Sequence, residues 1–354
     1  MSSADAHRAF LDRARYPSFD GLRALSIVPV VFHHATPRPL EGVLGRGPLG
    51  VDLFFAISGF LITTLLCRER EATGTIALGR FAARRALRIF PLYYGVLALF
   101  LLHALFVREP GPVRDHFLRS LPVHATYTSN WLLDTDVTHP IVFGFGWSLA
   151  TEEQFYAVWP VVMRVARDLR VAAAFMVGLL VIDQLAERGG LGLEASGVLS
   201  RALRSIAAPI CGGALAALAL RGPRGFALVS SVLGRRASSL GALTALVLAA
   251  AYGWPLAVAH GAMVALVVAC ALRPDHLLAP LLESRPLRFV GDVSYGVYLL
   301  NVPAVVVVRR VLPAEAPLAL VFAASLVTSL VLAWLVHRLV ERPLTAVRAR
   351  YRSA

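Results

Sequence analysis

Ten apolar runs of about 17 to 22 residues divide the sequence, and few folds are open to a chain divided in this way. A helix of that length crosses the hydrocarbon core of a bilayer. Hydrophobic residues make up 57% of the 354 residues and charged residues only 16%, a balance that is not typical of a soluble domain. The pattern predicts an all-α, polytopic membrane protein. The runs lie at about 19–37, 49–67, 89–107, 147–163, 171–187, 203–220, 237–253, 255–272, 289–308 and 316–337.

The basic residues predict the orientation of the chain. All 35 are arginines, and the formal net charge is +13. If the N-terminus is cytoplasmic, 24 arginines fall on the inner side and 10 on the outer side, while Arg23 lies within the first run. Because basic residues concentrate on the cytoplasmic side of membrane proteins, we predict about ten transmembrane helices with both termini cytoplasmic. Arginines scattered between apolar runs do not form the single basic surface of a nucleic-acid-binding protein.

The segments outside the runs predict three parts. A cytoplasmic N-terminal tail (1–18) precedes the integral membrane domain (19–340), and a cytoplasmic C-terminal tail (341–354) follows it. The first tail is polar and partly acidic, which is not typical of a cleaved signal peptide. The three cysteines show no motif spacing, so neither a disulfide framework nor a metal site is predicted.

Polar residues inside the first run are candidates for function. On a helix, Arg23 and His34 differ by about 20° in direction and by roughly 16 Å along the axis, whereas His33 lies about 80° away from Arg23. Ionisable groups within a membrane cost a few kcal/mol each and usually face the interior of the bundle. The phase therefore favours His34 as the functional histidine. The alternative is that these residues only contact the two membrane interfaces.

Two adjacent carboxylates, Glu152 and Glu153, lie in the fourth run, roughly 8 to 9 Å from its outer end. That depth matches the depth expected for His34, and a histidine is a natural partner for a buried carboxylate. A carboxylate that orients an imidazole and raises its basicity makes a general base. The alternative is a pair of glutamates that faces water at the interface.

An arginine cluster precedes the third run on the inner side. Arg85 and Arg88 are in an i, i+3 relation and share one helix face, with Arg84 beside them. Guanidinium groups match phosphate oxygens bidentately, so the cluster is a candidate dock for a phosphorylated cofactor. Topology signalling and contact with anionic lipid explain the cluster almost as well.

Seven motifs in a fixed order resemble those of a known family. DGLRALSIVPVVFHH (20–34) has the register Arg, ten residues, His, with Arg23 and His34 in place. This register resembles the signature of the bacterial acyltransferase 3 family of integral membrane O-acyltransferases. The further segments that look like its motifs are GVDLFFAISGFLIT (50–63), RRALRIFPLYY (84–94), YTSNW (127–131), WSLATEEQFYAVWP (147–160), DVSYGVYLLNVP (292–303) and ERPL (341–344).

The resemblance implies an activity and its substrates. It implies transfer of an acyl group, commonly acetyl, from cytoplasmic acyl-CoA to a hydroxyl of the acceptor. The implied acceptor is a glycan, such as a lipopolysaccharide or exopolysaccharide sugar, or a hydroxylated secondary metabolite. The protein is then expected to be a multi-pass protein of the inner (plasma) membrane, with acyl-CoA (acetyl-CoA for an acetyl group) as donor and no metal.

The resemblance also implies roles for individual residues. His34 would act as general base on the acceptor hydroxyl or would carry the acyl group covalently. Glu153 or Glu152 would orient or charge its ring, and Arg23 would stabilise developing negative charge or anchor the donor. The residues implied to meet the CoA phosphates are Arg85 and Arg88, with Arg84 beside them.

Three further residues are candidates for substrate binding. Asn130 and Trp131 lie in the outer segment 108–146, where an aromatic ring suits stacking on a sugar. The alternative is that they belong to an ordinary surface loop. Tyr298 either lines the path of the acyl chain or lies at a membrane interface.

The sequence departs from the family pattern at Asn301, where relatives commonly have histidine. Asparagine forms hydrogen bonds but is no base near neutral pH. Some relatives also carry a hydrolase-like domain outside the membrane, which these 354 residues do not include. The competing class is a transporter or flippase. Internal repeats with matching broken helices would favour that class, and none is detectable in the sequence.

Overall fold

The computed structural model describes residues 2–36, 42–133, 142–194 and 197–351. Within these ranges the regular elements are helical and no strand occurs, which confirms the predicted all-α class. A 3₁₀ turn covers Gly42–Arg46 and a π-helical turn covers His337–Glu341. The α-helices are α1 (Ser3–Leu11), α2 (Ser18–Ala35), α3 (Leu49–Thr73), α4 (Leu78–Phe106), α5 (Pro112–Ala125), α6 (Ser129–Leu132), α7 (Gly146–Val165), α8 (Leu169–Glu187), α9 (Val198–Arg204), α10 (Ala208–Arg221), α11 (Pro223–Leu233), α12 (Ser238–Ala251), α13 (Leu256–Leu272), α14 (Ala279–Leu282), α15 (Arg285–Asp292), α16 (Ser294–Val311), α17 (Leu318–Val336) and α18 (Arg342–Ala349).

Several helices are long and apolar enough to cross a membrane. Four pass on length and composition, namely α3, α4, α8 and the segment Leu318–Val347 that includes α17. Three further pairs, α9 with α10, α11 with α12 and α15 with α16, pass together but bend by 44°, 71° and 75°. The described residues therefore hold four candidate spans, or seven if each bent pair crosses once. The predicted number of ten and the cytoplasmic position of both termini stay predictions.

The helices form two compact units. The first unit comprises Met1–Cys67 and Pro209–His337. The second comprises Arg68–Ala208 and Arg338–Ala354. Residues that are far apart in the sequence therefore meet inside each unit, and each unit is described by itself below.

In the first unit, α2 packs against α13, α14, α15, α16 and α17. Glycines allow the closest of these approaches. A Cβ atom added at Gly21 would overlap the backbone of Leu282, and one added at Gly291 would overlap the backbone of Asp20. Small residues at such contacts are typical of helices that pack in membranes. The packing therefore fixes α2, which carries the predicted histidine, through contacts with five other helices.

The N-terminal segment also belongs to the first unit. Ser2 and Asp5 form a reciprocal capping box at the start of α1, which satisfies two otherwise unpaired backbone donors. Phe10 is buried and its ring centroid lies 5.6 Å from that of Phe226. His7 Nε2 lies 3.0 Å from the carbonyl oxygen of Leu220. The predicted tail 1–18 therefore contains a helix that packs on the unit.

In the second unit, α4 contacts α5, α7 and α18, and α6 joins α7 to α9. Arg70 ties the end of α3 to the end of α7, because its Nη1 donates to the carbonyl oxygens of Met163 at 3.2 Å and Ala166 at 2.9 Å. The Tyr93 hydroxyl donates to the carbonyl oxygen of His124 at 2.8 Å. These contacts position α7, the helix that carries the glutamate pair.

Candidate functional site

Two adjacent histidines in the last turn of α2 have different surroundings. His33 is exposed, whereas His34 is half-buried. The Nδ1 atom of His34 lies 2.5 Å from Oδ1 of Asn301 in α16. Asn301 is 0% exposed. The structure thus gives His34 a buried amide partner, and this partner is the residue for which the sequence analysis predicts a departure from the family pattern.

The side chain of Asn301 is itself fixed by its own helix. Its Nδ2 donates to the carbonyl oxygen of Tyr298 at 2.5 Å and to that of Val297 at 3.2 Å. Tyr298, predicted to bind substrate, is 7% exposed. In this unit Tyr298 supplies a backbone acceptor to Asn301.

Arg23 is ion-paired one turn into α2. Its Nη1 lies 2.8 Å from Oδ1 of Asp20, three residues earlier, and the side chains are 23% and 35% exposed. The pairing directs the guanidinium toward the start of α2, while His34 lies in the last turn. Eleven residues of helix separate the two by roughly 16 Å along the axis. Arg23 and His34 therefore lie at opposite ends of one helix and do not contact each other directly.

The glutamate pair lies in α7 of the second unit. Glu152 accepts a short hydrogen bond from the hydroxyl of Tyr156, one turn later. Oε1 of Glu153 is buried and has no hydrogen-bond partner among the described residues. A buried oxygen without a donor is rare in folded proteins and calls for an explanation. Glu153 is thus an acceptor that remains available in this structure.

The predicted phosphate cluster lies on α4 of the same unit. Arg84 is held by two bonds, to Oε2 of Glu69 at 3.1 Å and to the carbonyl oxygen of Tyr351 at 2.7 Å. The guanidinium carbon of Arg85 lies 5.7 Å from the ring centroid of Phe81 and 5.4 Å from that of Tyr156. Such distances fit cation–π contacts. Arg88 is exposed.

Tyr156 joins the arginine cluster to the glutamate pair. Its ring contacts the Arg85 guanidinium, and its hydroxyl donates to Glu152. The structure therefore brings Arg85 close to the carboxylates of α7, two groups that the sequence analysis treated separately. The spacing of Glu152 and Tyr156 by four residues on one helix face was the available signal for this contact.

Asn130 and Trp131, predicted to bind the acceptor, form internal hydrogen bonds. Asn130 and Gln154 exchange two amide hydrogen bonds of 2.9 Å each, which joins α6 to α7. Trp131 Nε1 donates to Oγ of Ser205 at 3.1 Å. The polar atoms of both residues therefore hold α6 in place. Gln154 follows the glutamate pair directly and was not singled out from the sequence.

A polar cluster that the sequence did not indicate lies at the start of α2. The Ser18 hydroxyl donates to Oε1 of Glu283 at 2.8 Å and lies 2.9 Å from Nε2 of His276. Both partners lie more than 250 residues away in the sequence, so no local pattern predicts the contact. Burial lowers the pKa of His276 below its ordinary value. The cluster joins the first residue of α2 to the segment that follows α13.

Comparison with known proteins assigns the family. A family model described as an acyltransferase domain (Acyl_transf_3) matches residues 16–338. The chain is 27% identical over 366 residues to Peptidoglycan O-acetyltransferase OatA of Listeria monocytogenes, a match that covers 94% of this chain and 56% of the relative. It is 30% identical over 363 residues to Putative peptidoglycan O-acetyltransferase YrhL of Bacillus subtilis, covering 93% of this chain and 54% of the relative.

Shorter matches agree with these. Putative O-acetyltransferase SACOL0978 of Staphylococcus aureus is 35% identical over 175 residues, which covers 48% of this chain and 28% of the relative. The chain thus spans at most about half the length of the curated relatives it matches. No solved structure matches it significantly. The family model covers nearly the whole sequence and includes the segments that resemble the family motifs up to DVSYGVYLLNVP, so the chain belongs to the acyltransferase 3 family.

Proposed function

We propose that this chain is an O-acetyltransferase of the inner (plasma) membrane. It transfers an acetyl group from cytoplasmic acetyl-CoA to a hydroxyl of an envelope glycan. The observation that best supports this function is the contact of His34 with Asn301 at 2.5 Å within the family signature. The two relatives matched over most of this chain are named for peptidoglycan. Their names favour a peptidoglycan hydroxyl over a lipopolysaccharide, exopolysaccharide or metabolite acceptor.

In the proposed reaction, His34 acts as general base. Its unprotonated ring nitrogen takes the proton of the acceptor hydroxyl while the hydroxyl oxygen attacks the thioester carbonyl carbon of acetyl-CoA. The carbon–sulfur bond breaks and the CoA sulfur leaves as a thiolate, which takes a proton from the imidazolium. The products are the acetyl ester and CoA. Holding both substrates in line supplies roughly up to ten kcal/mol of barrier lowering.

The donor is bound by the arginine cluster of α4. Arg84 is already bonded to Glu69 and Tyr351, so we assign it the task of holding the cluster in place. Arg85 and Arg88 meet the CoA phosphates. The ring contacts of Arg85 hold its guanidinium in place on α4, and guanidinium N–H groups match phosphate oxygens bidentately. Anionic lipid headgroups offer the same chemistry.

Arg23 and the glutamate pair have supporting roles in this proposal. Arg23 is directed away from His34 by its pairing with Asp20, which favours anchoring of the donor over stabilisation of charge at the reacting carbon. One nitrogen of His34 already has Asn301 as its partner. The role that the family resemblance implies for Glu153 or Glu152, to orient or charge the ring, is retained here as a proposal.

Mass spectrometry of envelope glycans and secreted metabolites tests the proposed function. Cells that express the chain should carry an acetyl mass on a glycan that is absent from cells without the gene. Expression of the His34→Ala variant at the same membrane level should not restore it. Identical acetylation with and without the gene, together with a change in transport, would instead favour a transporter.

A further inference from the structure

We propose that Asn301 is a positioning residue that fixes the protonation of His34. It holds the ring proton on Nδ1 and so leaves Nε2 free to receive the proton of the acceptor hydroxyl. This inference rests on the proposed function of His34 and names the atom that performs it. Asn301 does not transfer a proton itself, because an amide is neither acid nor base near neutral pH.

The hydrogen bonds of Asn301 determine which way its amide points. Its nitrogen and oxygen are told apart by their neighbours. Two backbone carbonyl oxygens, of Tyr298 at 2.5 Å and Val297 at 3.2 Å, lie next to one atom of the amide. Carbonyl oxygens only accept, so that atom is the donating NH₂ group. The amide oxygen must therefore face His34.

The direction of the amide then determines the state of the His34 ring. An amide oxygen only accepts hydrogen bonds. Nδ1 of His34, 2.5 Å away, must therefore be the donor and carry a proton. In the neutral ring only one nitrogen is protonated, so Nε2 has the free lone pair that a general base needs.

Burial keeps this arrangement in place. Asn301 is 0% exposed and lies within α16, so water does not substitute for any of its three partners. A flipped amide would place its oxygen against two carbonyl oxygens and its NH₂ against an Nδ1 that could no longer donate. The single favourable orientation is the one that leaves Nε2 unprotonated.

The same geometry gives a reason for asparagine at this position. A histidine in its place would exist in two neutral forms and would either donate or accept. It would leave the direction of the bond to His34 open. Asparagine with its NH₂ group committed to Tyr298 and Val297 is an acceptor only. In this chain Asn301 in α16 therefore determines which ring nitrogen of His34 carries the proton.

Two variants and one control test the positioning role in steady-state acetyl transfer. Asn301→Leu keeps the approximate volume but removes the acceptor, and it should lower kcat about 10- to 100-fold with little change in the KM for acetyl-CoA. Asn301→His restores an acceptor and should recover part of that loss. Ser329→Ala removes another buried polar group of the same unit and should leave kcat unchanged.

A spectroscopic measurement reads the proton directly and does not depend on activity. NMR of the protein with ¹³C,¹⁵N-histidine, at a pH above the ordinary imidazole pKa, should show the His34 proton on Nδ1. The His34 signal is the one missing from His34→Ala. In Asn301→Leu the proton should shift toward Nε2.

The outcomes separate the two proposals. A parent ring protonated on Nε2 would overturn the positioning role. So would an Asn301→Leu variant with the parent's kcat and tautomer. If His34→Ala remains active, the proposed general base is wrong, whatever tautomer is observed. If Asn301→Leu does not accumulate, the NMR spectrum of the parent still decides, because the tautomer of the parent ring does not depend on any variant.

Discussion

Neighbouring side chains on a helix point about 100° apart. In α2 this difference in direction gives the adjacent histidines His33 and His34 different surroundings. His33 is exposed, while His34 is half-buried beside Asn301. The helical phase and the family register both favour His34 on sequence alone. The partner of His34 lies 267 residues further along the chain, beyond the range of any local pattern.

A second histidine, His124 in α5, has no partner for either ring nitrogen among the described residues and is 0% exposed. Burial, with a smaller contribution from His116, lowers the pKa of His124 from 6.5 to about 4. In the unfolded chain this ring binds a proton near pH 6.5, whereas the folded chain resists protonation down to about pH 4. Folding therefore becomes less favourable as the pH falls through that window, by a total on the order of 3 kcal/mol.

His124→Leu should remove this pH dependence. An apolar residue of similar size leaves no buried nitrogen without a partner, so the variant should be as stable as the parent at neutral pH or more stable. Thermal unfolding in detergent at pH 7.5 and pH 5 measures both effects. The melting temperature of the parent should fall more on acidification than that of the variant. Equal falls would show that His124 is not a buried neutral ring.

At some positions glycine allows two helices to approach each other closely. Gly59 on α3 faces the backbone of Ile210 on α10, where an added Cβ would overlap the carbonyl oxygen. Gly178 on α8 has nothing within 4 Å of the same position. The two glycines lie within long helices and differ chiefly in this contact.

Alanine at these two glycines should change stability in opposite directions. Gly178→Ala should stabilise the protein by roughly 0.5–1 kcal/mol, because alanine favours helix over the unfolded chain. Gly59→Ala gains the same preference but forces α3 and α10 apart, and it should destabilise by about 1–3 kcal/mol. Thermal unfolding of both purified variants provides the comparison. A stabilised Gly59→Ala variant would contradict the observed contact.

The arginine cluster on α4 gives a prediction for donor binding. The double variant Arg85→Gln with Arg88→Gln should bind CoA roughly 10²- to 10⁴-fold more weakly, since charge-assisted bonds contribute roughly 1.5–3 kcal/mol each. Arg80→Gln, an exposed arginine one turn earlier on α4, is the matched control. Isothermal titration in nanodiscs without anionic lipid excludes competition by headgroups. Unchanged affinity in the double variant would remove the cluster from the donor site.

The hydropathy pattern predicted the positions of these helices better than it predicted where they end or bend. The run 89–107 marks only the apolar part of α4, which begins at Leu78, because a helix continues through polar residues that a hydropathy pattern excludes. The run 289–308 is not one straight helix but α15 and α16, bent by 75°. The run 147–163 lies wholly within α7. Bends are set by tertiary contacts and so are missing from the pattern.

Parts of the candidate site were predictable because they depend on one helix at a time. The phase of His34 and the adjacency of Arg85 and Arg88 follow from helical geometry. The contacts between helices do not, and they include the bond of Asn301 to His34 and the stacking of Arg85 on Tyr156. The sequence analysis singles out Asn301 as a predicted departure from the family pattern. Its hydrogen bond to His34 was not predictable from the sequence.

The family model covers segments of both units, so the two units belong to one domain family. The bias of arginines, 24 against 10, predicts which loops are cytoplasmic. Thr75, between α3 and α4, and Glu315, between α16 and α17, are both exposed. They are predicted to lie on opposite sides of the membrane.

Cysteine labelling tests this orientation. The three native cysteines are buried, so the parent should react little with a membrane-impermeant maleimide. In intact cells Glu315→Cys should be labelled and Thr75→Cys should not, and both should react after permeabilisation. Labelling of Thr75→Cys alone in intact cells would reverse the predicted topology.

The most direct test of the general base is acetyl transfer by the His34→Ala and His33→Ala variants. Loss of a general base typically lowers the rate by about 10²–10⁴, so His34→Ala should lose nearly all transfer from acetyl-CoA to peptidoglycan fragments. His33→Ala, which changes an exposed neighbour, should retain nearly the parent rate at the same membrane level. Substantial transfer by His34→Ala, or loss confined to His33→Ala, would contradict the assignment of His34 as the catalytic base.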